Sequence, residues 1–219
     1  MLIAEKLLLL LTADDTGKVK GQYADYGLAG AVLLDLALRG RVRLTEKGER
    51  GHWANRVVVV DDSPTDDALL DDALARLAGR DRFRQSSITR LHRHVRKPLQ
   101  ERLVGAGILR DVEQAVLGFI PVTRHPTVNP EPEQQMRAQL FRVLAENEAP
   151  DAETAALVGV LSALNLAHTM IGDEASGAAK RAVKARAKQL REENWAAEAV
   201  YKAIQAAQSA GASAGAAGG

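Results

Sequence analysis

Apolar residues crowd the start of the chain, where Leu2, Ile3 and Ala4 lead through Glu5 and Lys6 into an unbroken run from Leu7 to Leu11. A membrane-spanning helix needs roughly 20 apolar residues. This run is far shorter and gives way to Asp14 and Asp15 without a cleavage-type site, so it predicts a buried first helix near residues 2–12. Thr12 to Gly17, rich in short polar side chains and ending in Gly, favours a turn, with a connector to about residue 22. From Tyr26 to Leu38 the chain is apolar almost all round, as expected of a helix enclosed by others, and its small residues permit close contact.

Alternation then replaces helical spacing. Arg39 to Leu44 and Arg56 to Val60 read as paired short strands joined through Glu46 to Gly51. Asp61 to Thr65 is a turn and a helix start, and a helix near 66–78 follows with Leu69, Leu70, Ala73, Leu74 and Leu77 on one face. Ile88, Leu91, Val95 and Leu99 recur at helical spacing, with Pro98 expected to kink or interrupt the helix. Val112 to Arg124 alternates as a hairpin does. A Pro-rich connector from His125 to Pro132 precedes helices near 132–146, 151–171, 174–190 and 193–208. The reading is a mainly α, compact helical domain over residues 1–208, built around a central helix bundle with a short strand pair and a protruding β-hairpin. Residues 209–219, all Ala, Gly and Ser, are expected to form a flexible tail.

Composition narrows the function. The chain has 219 residues, 46% hydrophobic and 26% charged, which fits a folded globular domain. A formal net charge of +1 means that any electrostatic role must rest on local clustering. Cys is absent, which removes disulfides, thiolate metal sites and cysteine nucleophiles. The sequence contains no GxxxxGK[ST] or HExxH pattern, which lowers the case for an enzyme.

The clustering exists. Arg80, Arg82, Arg84, Arg90, Arg93, Arg96, Lys97 and Arg102 are opposed within their own stretch by Asp81 and Glu101 alone. If one helix carries this stretch, Arg93 and Arg96 turn outward together, and two guanidinium forks one turn apart suit phosphate oxygens. A solvated helix face accounts for the same spacing. His92 and His94, two apart on a helix, point in different directions and make a poor metal site, so neither a metal nor a cofactor is expected. A second basic run, Lys180, Arg181, Lys184, Arg186, Lys188 and Arg191, usually serves only to solubilise an Ala-rich helix.

Several blocks together resemble the Golgi phosphoprotein 3 family across about residues 2–190. They are Ile3 to Leu10, Gly27 to Gly30 continuing through Leu36-Ala37-Leu38-Arg39-Gly40-Arg41, and Pro64-Thr65 before Leu69 to Leu74. Val95-Arg96 with Leu99, then Leu103-Val104, Gly107 to Leu109 and Phe119 to Pro126 follow in the same order. The resemblance implies a helical fold with a hairpin used for self-association or membrane contact, here through Val116, Leu117, Phe119 and Ile120. It also implies a phosphoinositide site in which two arginines fall at Arg93 and Arg96. Arg90 and Lys97, in the same basic stretch, are expected to add field. The family's tryptophan position falls near Lys20, with Tyr23 the nearby aromatic candidate, and its third arginine is replaced by Ala29. The basic N-terminal extension that engages coatomer in eukaryotic relatives does not precede Met1, so no coatomer interaction is expected and the chain looks more like a bacterial member.

The function so expected is a non-catalytic peripheral membrane protein, cytoplasmic and held at the inner face of a membrane by anionic lipid headgroups, and a homo-oligomer through its hairpin. A nucleic-acid-binding regulator using the basic helix and hairpin, and a protein-sorting adaptor, are the alternatives.

Overall fold

The leucine run forms helix α1 (Ile3–Leu11), which buries every residue except Lys6. A computed structural model describes residues 1–116, 120–172 and 175–216. Helix α2 (Ala24–Leu38) lies alongside α1 and is buried continuously from Gly27 to Leu36. Asp35, in the middle of this apolar helix, accepts the backbone N–H groups of Ile3 at 2.9 Å and Ala4 at 3.1 Å. A side chain of α2 therefore satisfies two orphan donors at the start of α1.

After α2 come β1 (Val42–Leu44), β2 (Arg56–Val59), α3 (Ala68–Leu77) and β3 (Arg82–Phe83). The strands form one antiparallel sheet in the order β1-β2-β3, pairing Val42 with Val59 and Arg56 with Phe83. The pair β1 and β2 matches the sequence pattern, whereas β3 is only two residues long and too short to show alternation. Asp67 caps α3 by accepting from Leu69 and Leu70.

The single basic helix expected across residues 88–99 is two helices, α4 (Arg84–Leu91) and α5 (Arg96–Gly105). The break falls at His92 to His94, and Pro98 sits in the first turn of α5, where its missing N–H costs nothing. Proline thus follows the break instead of making it.

Strands β4 (Val112–Val116) and β5 (Ile120–Arg124) form the second, two-stranded sheet, in register from Val112 opposite Arg124 to Val116 opposite Ile120. The C-terminal half comprises α6 (Glu131–Ala145), α7 (Ala152–Ala163), a 3₁₀ turn at Ala167–Ile171, α8 (Gly177–Glu192) and α9 (Trp195–Ala216). The helix expected over 151–171 ends early because Asn165 reverses the chain at φ 57°, a conformation that Asn tolerates. Helix α9 continues through the Ala-rich run as far as Ala216.

Close approach organises the bundle. A Cβ on Gly30 would lie 2.0 Å from Val200 of α9, and one on Gly27 would lie 2.6 Å from Leu164. Helix α2 therefore forms the axis on which α1, α7 and α9 pack, as its apolar circumference predicts.

Candidate functional site: an arginine turn against helix α2

The break between α4 and α5 is pinned from both sides. Ser87, Ile88 and Leu91 of α4 and Leu99 and Leu103 of α5 are buried, as is Val95 between the helices. Those anchors fix the turn and push Arg93 outward. Arg93 is exposed and has no ion-pair partner among the described residues.

Arg96, the first residue of α5, is half-buried and places its Nε 2.5 Å from Oδ1 of Asp25 at the start of α2. Next to it the His92 ring stacks on Tyr26 at 4.7 Å, and Tyr26 meets Tyr23 edge-on at 6.1 Å. The turn is thereby docked on the N-terminal end of α2.

This arrangement corrects one expectation: Arg93 and Arg96 do not share a continuous helical face, and Arg96 already has a carboxylate partner. The correction is limited in energy. Both members of the pair are more than a third exposed, with side-chain accessibilities of 38% and 37%, and such pairs contribute about 0.2–1 kcal/mol.

The two supporting cations differ. Lys97 is exposed, with Glu101 3.7 Å away, while the guanidinium of Arg90 donates through Nε to the Arg76 carbonyl. Helix α5 has no side-chain N-cap and no acidic residue in its own first turn. Beneath His94 and Pro98 lies a cleft of about 250 Å³ with Leu69, Ala73 and Leu91 among its walls.

Tyr23 reaches the arginine turn through Tyr26 and His92, and also lines a cavity of about 410 Å³ between α7, α8 and α9. In the hairpin, Val116 and Ile120 are paired, whereas Leu117 and Phe119 lie outside the described residues. None of residues 112–115 or 121–124 belongs to the buried core.

The family model of Golgi phosphoprotein 3 (GPP34) matches residues 3–207, nearly the whole chain. The chain belongs to the Golgi phosphoprotein 3 family. Among curated relatives it is similar to the vacuolar protein sorting-associated protein 74 of Eremothecium gossypii, at 27% identity over 161 residues, which cover 65% of this chain and 48% of that protein. The protein of the same name from Schizosaccharomyces pombe is 29% identical over 161 residues, with the same coverage. The chain thus spans about half the length of these relatives. The matches carry no support for a bacterial source.

Two features of this Golgi phosphoprotein 3 family member escaped the sequence. Asp25 and Arg96 are 71 positions apart, and no local pattern links them. Arg102, read only as one more cation, holds Glu5 of α1 and the capping residue Asp67, each at 2.8 Å. Among the described residues no helix is long and apolar enough to cross a membrane.

Proposed function

We propose that this protein is a non-catalytic peripheral membrane protein that takes an anionic, phosphoinositide-like headgroup at Arg93 and Arg96, on the cytoplasmic face of a membrane. The observation that carries the reading is Arg93, exposed and without an ion-pair partner among the described residues, beside the start of α5, with Arg96 held there by a weak, half-exposed ion pair. Guanidinium groups and the positive end of a helix favour the same ligand, a cluster of anionic oxygens.

Lys97 strengthens the field from its exposed position, and Arg90 does so from its fixed one. Each cation near an anionic leaflet contributes about 1 kcal/mol, so four give reversible, salt-sensitive attachment. The hairpin supplies apolar contact or self-association through Val116, Leu117, Phe119 and Ile120. Similarity to proteins named for vacuolar protein sorting supports an adaptor role alongside lipid binding, with the membrane site positioning a cargo-binding surface.

The test is co-sedimentation with phosphatidylcholine vesicles carrying a phosphoinositide, beside a mobility-shift titration on duplex DNA at low salt. Wild type binds the vesicles, and Arg93→Ala/Arg96→Ala loses at least about tenfold in affinity, or roughly 1.4 kcal/mol. Equal vesicle binding by both proteins removes the site, and a DNA shift that the double variant abolishes transfers it to nucleic acid.

A further inference from the structure

The second basic run has a location that its sequence does not reveal. Lys184, Lys188 and Arg191 follow one another at helical spacing on α8 and all line the 410 Å³ cavity that α8 shares with α7, α9 and the 3₁₀ turn. That volume falls within the range usual for small-molecule sites, about 300–1,000 Å³. Among the described residues the lining contains no Asp or Glu.

The cations of this wall have different roles. Arg191 is 7% exposed, with its guanidinium 3.9 Å above the Tyr201 ring and within 3.4 Å of both Glu192 and Glu198. Its charge is satisfied inside the fold. Lys188 is exposed, and its nearest carboxylate, Glu192, is 3.7 Å away. Lys184 is exposed and forms no ion pair among the described residues.

His168, on the 3₁₀ turn, also lines the cavity, and its Nδ1 is buried without a hydrogen-bond partner among the described residues. Burial, followed by the nearby Lys184 and Lys180, pushes its pKa down.

The rest of the lining is mixed, with Ser162, Asn165, Gln205 and Gln208 beside apolar surface. Leu164 and Ile204 contribute aliphatic surface, and Tyr23 and Tyr201 contribute rings. Concavity, two exposed lysines on α8 and nearby hydrocarbon together define a ligand with two ends.

We infer that the cavity between α7, α8 and α9 binds a small single-chain amphiphile whose anionic head, a phosphate monoester or a carboxylate, is held by Lys184 and Lys188. The tail lies against Leu164, Ile204 and the two tyrosine rings. Tyr23 lies between this site and the arginine turn, but the cations of the two are different, so one can fail while the other stands.

Isothermal titration of the full chain tests this with a short-chain lysophosphatidate kept below its aggregation concentration. The comparison ligands are a fatty acid of the same chain length, the matching uncharged monoacylglycerol and inorganic phosphate. At least one anionic amphiphile binds saturably, one per chain, and Lys184→Ala/Lys188→Ala weakens it by at least about tenfold. Inorganic phosphate and the uncharged ligand bind at least about tenfold more weakly, and Arg93→Ala/Arg96→Ala leaves the affinity unchanged. Both lysines are exposed, so circular dichroism of the variant matches wild type. Absence of saturable binding overturns the inference, as does equal affinity for the lysine variant, the uncharged ligand or inorganic phosphate.

Discussion

Asp35 shows what a single carboxylate does inside an apolar helix. Burial pushes its pKa from 3.8 up to about 6, against the pull of the Ile3 and Ala4 N–H groups and Arg39. Between those pH values the folded chain holds a proton that the unfolded chain has released, so stability falls as pH rises through this window. Relative to Asp35→Asn, wild type should lose on the order of 2–3 kcal/mol between about pH 4 and pH 6, with little change above or below. Urea unfolding across that range measures it, and a gap independent of pH would contradict the assignment. Side-chain chemistry at this scale was only partly legible. Arg93 declared itself through its neighbours' spacing, but Asp25 and the buried partners of Asp35 depend on contacts between helices far apart in sequence.

At the scale of elements, periodicity identified most helices because their buried stripes are long. It failed where an element is short or changes direction: β3 has two residues, and the α4–α5 break is set by packing around Val95, not by Pro98. The apolar circumference of α2 correctly placed it at the centre, and its glycines give that reading a sharp test. Alanine is the better helix former by about 0.8–1.0 kcal/mol. Gly30→Ala should nevertheless destabilise the protein by about 1–3 kcal/mol, because its methyl would meet Val200 at 2.0 Å. Adding Val200→Ala should recover part of that loss, and additive effects in the thermodynamic cycle would show that the two helices do not meet there.

Across the whole molecule, Arg102 joins three elements, since its guanidinium on α5 holds Glu5 of α1 and Asp67 at the cap of α3. Replacing it with Met leaves Glu5, 6% exposed, without its cation. The expected loss is about 1–3 kcal/mol after allowance for solvent screening of the half-exposed arginine, measured by denaturant unfolding. This network bears on the proposed site because α5 follows directly on the arginine turn, and α1 and α3 hold α5 in place. The same rigidity lets a weak ion pair at Asp25 keep Arg96 positioned without locking it. The sequence disclosed the cations, while the fold disclosed which of them are engaged and which stand free.

The most direct measurement is the partition of wild type and Arg93→Ala/Arg96→Ala onto vesicles containing an anionic phosphoinositide, at low and at physiological ionic strength. Wild type should partition at least about tenfold more strongly at low salt, with the gap narrowing as screening increases. Indistinguishable partition of the two proteins at low salt would contradict the assignment of the headgroup to the arginine turn.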